Sequence, residues 1–186
     1  VWSQNFASAF IDDLATVSAV QDVTVTSDAR NFLLTVAQAG GEADRFGVDG
    51  AIVWNRAQNV SLAYVEDRAW VEAGRDLRLD AQSDMTVITV AGTLALGGKA
   101  GIGISGAIVD VDDMARAFIG DFRERVPEKG FGDVYTGTVH AGRDILLRAD
   151  AAPKLFTFAA AGSYAPGEES ESGSGPQRTG PSNASD

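Results

Sequence analysis

Apolar and polar residues alternate along most of the chain. The stretches 22–26, 76–81 and 144–149 each place an apolar residue at every second position. This two-residue period is typical of a half-buried β-strand, and the β-branched residues at 87–90 favour the same structure. Helical spacing is poor nearly everywhere, and only 112–118 could form a turn of helix. The pattern therefore predicts an all-β protein.

One block of the sequence occurs three times. Residues 17–25 match residues 71–79 at a spacing of 54, and the block returns after a longer interval at 139–147. The last two copies share Val-x-Ala-Gly-Arg-Asp, whereas the first has Val20 and Gln21 in place of Gly-Arg. A recurring block of this kind is the signature of a repeat architecture.

Two further blocks recur out of phase with the first. Residues 47–53 resemble residues 103–109, and a block of Ala, an aromatic residue and Ile or Val occurs three times at a spacing of 54: 9–11, 63–65 and 117–119. The extra length before the last copy of the first block falls within 121–137. That segment is rich in charge and Gly, so we expect a loop there.

These repeats predict a parallel β-helix, in which equivalent strands lie one above another. The 54-residue unit would divide into three coils of about 18 residues each, with small inward residues filling a narrow interior. An antiparallel sandwich is the alternative. It explains the strands but not the fixed spacing of one block.

Composition divides the chain at residue 166. Residues 1–165 form the predicted solenoid, and residues 166–186, whose only apolar residue is Ala184, read as a flexible linker or tail. Because the chain begins with Val1, we expect it to be an internal piece of a longer protein. The absence of Cys excludes disulfides, thiolate metal sites and Cys nucleophiles.

Charge excludes two classes of partner. The formal net charge of −11 argues against nucleic acid and against anionic lipid, which both need a basic surface. The apolar run 85–109 contains one charge, Lys99, and is long enough to span a bilayer. Its glycines and its alternation favour a buried pair of strands instead, so we expect no membrane insertion of this segment.

The repeated Val-x-Ala-Gly-Arg-Asp-[Leu/Ile]-x-Leu of 71–79 and 139–147, with the Ala-[Phe/Tyr]-[Ile/Val] block, resembles the repeats of large bacterial filamentous adhesins of the haemagglutinin-like and leukotoxin-like kind. The stretch 110–120 also resembles a recurring element of that family. The likeness covers most of residues 9–165. It implies a right-handed parallel β-helix without catalytic residues, secreted or held on a bacterial cell surface.

The resemblance also implies a function and partners. The segment would form a rigid, non-catalytic stalk for attachment. Its partners would be adjacent repeats of the same chain and a glycan or protein on a host or neighbouring cell. Two alternatives stay open: an extracellular β-helix enzyme acting on polysaccharide, and a glycan-binding module that uses Trp54 and Tyr64.

Three acidic residues offer a candidate metal site. Asp110, Asp112 and Asp113 place three carboxylates within four residues, and clustered oxygens suit Ca²⁺. No EF-hand loop or calcium-binding nonapeptide accompanies them, so a solvated rim is the alternative and no cofactor is required.

The remaining motifs read as structural. Gly101, Gly103 and Gly106 fit the dinucleotide pattern GxGxxG, but the preceding copy lacks the first Gly, so close stacking of rungs explains them better. The repeated Arg-Asp pairs at 75–76 and 143–144 indicate a charge ladder on the outer face. We expect His140 to be a surface residue of a strand. We expect the three Trp residues in the core or at corners: Trp2, Trp54 and Trp70.

Overall fold

A computed structural model describes residues 1–120 and 138–165. These residues form nine β-strands and no helix. The strands are β1 (Trp2–Ile11), β2 (Thr16–Ala19), β3 (Val23–Ala43), β4 (Phe46–Val65), β5 (Trp70–Ala73), β6 (Leu77–Gly97), β7 (Ala100–Ile119), β8 (Thr138–Ala141) and β9 (Ile145–Tyr164).

The strands form three parallel sheets, so the chain is a parallel β-helix as expected. Sheet A contains β1, β4 and β7, sheet B contains β2, β5 and β8, and sheet C contains β3, β6 and β9. One coil is therefore a long strand, a short strand and a second long strand. The handedness inferred from the resemblance stays a prediction.

The coil is larger than the short rung that the sequence predicts. Strand β3 pairs with β6, and β4 with β7, at an offset equal to the spacing of the sequence repeats, so the whole repeat unit makes a single turn of the helix. Strands of 20 or 21 residues are far longer than the usual five or six, and two of them fill most of one coil.

The first two repeat blocks stack as predicted. Val17 lies opposite Val71, which lies opposite Val139, and Phe10, Tyr64 and Phe118 form a second such column. The third pairing is wrong by two positions. Gly47 lies opposite Gly101, because the common offset of the whole strand fixes the register.

Two expected segments lie outside the described residues: the loop within 121–137 and the tail 166–186. The helical turn expected at 112–118 is wrong. These residues belong to β7, where pairing with 58–64 of β4 satisfies the backbone as a strand. The described residues include no helix with the length and apolar character that crossing a membrane requires.

Each coil has two unlike halves. We call residues 3–31, 57–85, 111–120 and 138–153 the corner half, where sheet B joins the long sheets. We call residues 32–56, 86–110 and 154–165 the turn half, where tight turns join the long strands directly. The main apolar core fills the corner half around Val65, Val71, Leu77 and Leu79, and a smaller cluster around Met85 lies at the boundary.

Candidate functional site

A ladder of ion pairs runs up the corner where sheet B meets sheet C. The Arg75 guanidinium donates through Nε and Nη2 to the Asp22 carboxylate of the coil below, with an Nε–O distance of 2.8 Å. Arg143 binds Asp76 in the same way, at 3.0 and 2.7 Å. The expected charge ladder is confirmed, and each Arg reaches back to the preceding coil.

This ladder changes the acidity of its carboxyl groups. The hydrogen bond from Arg75 holds the pKa of Asp22 below its usual range, and the one from Arg143 does the same to the pKa of Asp76. Both favour the charged carboxylate. Within the part of the chain that the structure describes, no side chain is paired with the carboxylate of Asp144, the top member of the ladder.

Glycine at the same corner lets the coils approach each other. A Cβ added to Gly74 would collide with the carbonyl of Val20 in the coil below, and one added to Gly142 would collide with the carbonyl of Gly74. Val20 itself is 94% exposed, with no described coil beneath it. The Gly of the second and third copies is therefore required by the carbonyl of the coil below.

Tyr64 lies in a column of aromatic rings on the outer face of sheet A. Its ring stacks between Phe10 and Phe118, with centroid distances of 5.1 and 4.9 Å. Burial raises the pKa of its hydroxyl group. Because both faces of the ring are covered, Tyr64 cannot stack on a sugar in this conformation.

Trp54 lies on the same outer face and is 67% exposed. It borders an open depression of about 480 Å³ with Val1, Trp2 and Arg56. Ten residues along one strand separate it from Tyr64, about 33 Å, so the two do not share a site. All three Trp residues are at least half exposed, so none lies in the core. Trp70, the first residue of β5, lies at a corner, as the other part of the expectation had it. Trp54 itself lies between the inward-facing Val53 and Asn55.

The three acidic residues of the candidate calcium site do not converge. Asp110 and Asp112 face outward, where they contact Arg56 and Gln58 respectively, at 3.5 and 3.2 Å. Asp113 faces the interior, because successive strand residues point to opposite faces. The described geometry therefore offers at most two of these carboxylates to one ion.

A polar ladder that the sequence did not indicate runs through the interior. Asn5 donates to Asn59 at 2.9 Å, and Asn59 donates to Asp113 at 3.2 Å, one coil apart each time. Ser83 of sheet C also donates to Asp113, and Asn59 donates to Ser83 at 2.8 Å. The shared register of these residues was the available signal, but isolated Asn residues usually indicate turns.

Another acidic group lies at a turn of the corner half. One carboxylate oxygen from each of Asp13, Glu66 and Asp67 lies within 4.8 Å of the others. Arg68 already binds Asp13, and this hydrogen bond lowers the pKa of Asp13. The group is partly exposed, and its Asp13 already has a cationic partner in the chain.

The glycines of the GxGxxG pattern lie on β7, and no helix follows them in the described residues. A Cβ on Gly101 would lie 2.6 Å from the Ala95 carbonyl oxygen, and one on Gly103 would lie 2.5 Å from that of Gly162. These carbonyls belong to the facing sheet C. Close approach between facing sheets, not between stacked rungs, is the reason for Gly101 and Gly103, whereas a Cβ on Gly106 would meet nothing within 4 Å.

His140 lies opposite Glu72 on the exposed face of sheet B, as expected of a surface strand residue. No family model, no curated protein and no solved structure matches this chain.

Proposed function

We propose that this chain is a non-catalytic structural segment of a secreted or cell-surface bacterial filamentous adhesin. Its coils would form a rigid stalk that carries an attachment site away from the cell. The observation that supports this proposal is the set of ladders that recur in register from coil to coil.

Three kinds of ladder tie each coil to the next, in addition to the backbone pairing. Arg75 and Arg143 bridge coils at the corner, the Tyr64 column bridges them outside, and Asn59 bridges them inside. The aromatic and interior ladders use one residue per coil at the same register, and the corner ladder joins an Arg of one coil to an Asp of the coil below. Repetition at every level favours a load-bearing role over a unique site, because a catalytic site needs one particular constellation.

A rigid stalk should release its length coil by coil under force. Pulling single molecules from the two ends should give discrete extensions of about 190 Å for a 54-residue coil and about 240 Å for the 68-residue last coil, which are their contour lengths. Two matched variants test whether the ladder carries the load. Arg143→Gln removes an Arg of the corner ladder, and the control Arg116→Gln removes an Arg outside the ladders. The first should lower the release force and the second should not. A gradual extension without steps would contradict the stalk.

The location is tested separately. Antibodies against this chain should label intact cells that carry its gene, at structures that project from the surface. Labelling only after the cells are permeabilised would contradict the proposed adhesin, whatever the mechanical result.

Glycan binding at the Trp54 depression is a second candidate. The exposed Trp2 and Trp54 beside Arg56 combine aromatic and hydrogen-bonding groups. A glycan array probed with the protein and with Trp54→Ala should show binding that the substitution abolishes, while Trp70→Ala, on sheet B, retains it. Equal binding by both variants would exclude this depression.

A further inference from the structure

Two buried polar atoms in the interior of the turn half have no hydrogen-bond partner among the described residues. They are Oδ2 of Asp49 and Oγ1 of Thr93. Asp49 points inward from β4, between the outward-facing Val48 and Gly50, and is half-buried. Thr93 points inward from β6 and is only 7% exposed. Buried polar atoms without a partner are uncommon in folded proteins, and a bound ion or water is one reason for them.

The two residues lie close together across the thin interior. Gly103 lies directly above Asp49 in sheet A, and a Cβ on Gly103 would lie 3.1 Å from Thr93 Oγ1. Strand β6 faces both β4 and β7, because added Cβ atoms at Gly47 and Gly101 would each collide with one of its carbonyls. Thr93 therefore lies on the opposite wall at a height between Asp49 and Gly103.

This polar pair occurs in one layer only. Gly103 takes the place of Asp49 in the next coil, and Ala39 and Ala161 take the place of Thr93 on the strands beside β6. The two polar residues are thus introduced together into an interior of small apolar residues. Their joint appearance favours a shared ligand over two unrelated substitutions.

Glycines leave room and a third oxygen beside the pair. A Cβ on Gly41, on the wall opposite Asp49, would meet only the Asp49 side chain within 4 Å, at 3.4 Å from Oδ2. The carbonyl oxygen of Gly162 lies 2.5 Å from the position that a Cβ on Gly103 would take. One carboxylate oxygen, one hydroxyl and one backbone carbonyl therefore border the same layer of the interior.

The charge of Asp49 is not balanced by the part of the chain that the structure describes. None of the ion pairs formed within residues 1–120 and 138–165 includes it. Its Oδ1 accepts the N–H of Gly50 at 2.8 Å, but Oδ2 has no donor. Burying a carboxylate without a cation is costly. A water could donate to Oδ2 but would leave the charge unbalanced, whereas a cation would satisfy both needs.

We propose that this layer binds a Ca²⁺ ion, with Asp49, Thr93 and the Gly162 carbonyl as oxygen ligands. Ca²⁺ accepts carboxylate and backbone oxygens in a flexible geometry, whereas Mg²⁺ demands a near-ideal octahedron and keeps several waters. The layer supplies a single carboxylate, so the Kd should be about 10⁻⁴–10⁻³ M, as in weak extracellular sites. The site is separate from the acidic residues at 110–113, and it does not depend on the stalk proposed above.

Thermal unfolding of the whole chain tests the site. An ion that binds only the folded chain stabilises it, so about 10 mM CaCl₂ should raise the unfolding midpoint by about 3–6 °C over NaCl of equal ionic strength, for a Kd of about 1 mM. Asp49→Asn should abolish this rise. Asp112→Asn, which changes an outward carboxylate of sheet A, should keep it.

Three results would overturn the proposal. The parent chain could show no rise with CaCl₂, or Asp49→Asn could keep the full rise. An equal rise with MgCl₂ would mean that divalent ions only neutralise the acidic surface. A rise that Asp67→Asn removes and Asp49→Asn does not would place the ion at the acidic group of the corner half instead.

Direct binding keeps the test decisive if Asp49→Asn fails to fold. Thr93→Val keeps the shape of the side chain but removes the hydroxyl ligand, so equilibrium dialysis against radioactive Ca²⁺ should give a Kd raised by about tenfold. Thr86→Val, at an outward position of the same strand, should leave the Kd unchanged. Equal Kd values for the two variants would contradict a site between Thr93 and Asp49.

Discussion

The corner half and the turn half of sheet C use the same strands in opposite ways. In the corner half of β6, Leu77 and Leu79 point inward and Arg78 and Asp80 point outward. In the turn half of the same strand, Thr89 and Thr93 point inward, and Ile88 and Leu94 point outward. The polarity of the two faces reverses along one continuous strand.

This difference shows that alternation alone does not say which face is buried. Apolar and polar residues alternate strictly at 77–80, whereas in the turn half neighbours such as Val87 and Ile88 are both apolar although they face opposite sides. Facing sheets enclose a core only where they stand far enough apart, and the third sheet separates them at the corner. Where the strands meet directly at turns, only small inward residues fit.

Two leucines on one strand give the largest expected contrast. Leu79→Ala should destabilise the protein by about 2–5 kcal/mol, because Leu79 is fully buried in the corner core. Leu94→Ala should change the free energy of unfolding by only about 0.5 kcal/mol in dilute solution, because Leu94 faces outward. Urea unfolding of both variants measures this. Similar losses would mean that the two halves do not differ as described.

The interior polar ladder gives a second contrast, between neighbours on β4. Asn59→Ala should cost about 1–3 kcal/mol, because it leaves buried partners of Asn59 such as the Ala29 carbonyl unsatisfied. Gln58→Ala, on the exposed side, should stay within about 0.5 kcal/mol. If Asn59→Ala proved as mild as Gln58→Ala, the ladder would not contribute to stability.

The thin interior of the turn half is tested with two glycines. Gly103→Ala should destabilise by about 1–3 kcal/mol, because its Cβ would collide with the Gly162 carbonyl. Gly92→Ala, in open space on the outer face, should be neutral or stabilising by up to about 1 kcal/mol in dilute solution. In thermal unfolding, the midpoint temperature should therefore fall for Gly103→Ala and should rise or stay unchanged for Gly92→Ala.

The charged corner gives the smallest effect, and it depends on pH. Asp22 and Asp76 have a lower pKa in the folded chain than in the unfolded one, where Asp titrates near 3.9. Their stabilisation is complete above about pH 4 and is lost as the pH falls through their lowered folded pKa. The free energy of unfolding, measured with urea between pH 2 and 6, should fall less on acidification in the double variant Arg75→Gln/Arg143→Gln than in Arg116→Gln. Identical profiles would mean that the ladder is not formed.

The sequence was sufficient for the stacking but not for the size of the coil. Repeats at a spacing of 54 predicted which residues lie above one another, including Phe10, Tyr64 and Phe118. The spacing of a sequence repeat gives the length of the repeat unit, however, and not the number of turns of the β-helix that the unit forms. The division of that unit into three short rungs failed because a few very long strands replace several short ones.

The candidate site was predictable only where repetition and charge coincided. The pairs at 75–76 and 143–144 indicated the ladder, but its direction depends on how close the coils lie at Gly74. The alternation of 110–113 could have shown that Asp112 and Asp113 face apart. That the large apolar residues of the turn half face outward could not be recognised, because adjacent residues such as Val87 and Ile88 are both apolar there.

The central claim is that matched segments lie one above another in register. Introducing Cys at Glu72 and His140, which are distant in sequence but directly paired across sheet B, tests it in a Cys-free chain. Neighbouring parallel strands lie about 4.8 Å apart, within reach of a disulfide. Mild oxidation of the dilute protein should close an intramolecular disulfide in this variant and not in a Glu72→Cys/Arg148→Cys control. An open pair, or equal closure in both, would contradict the stacked coil.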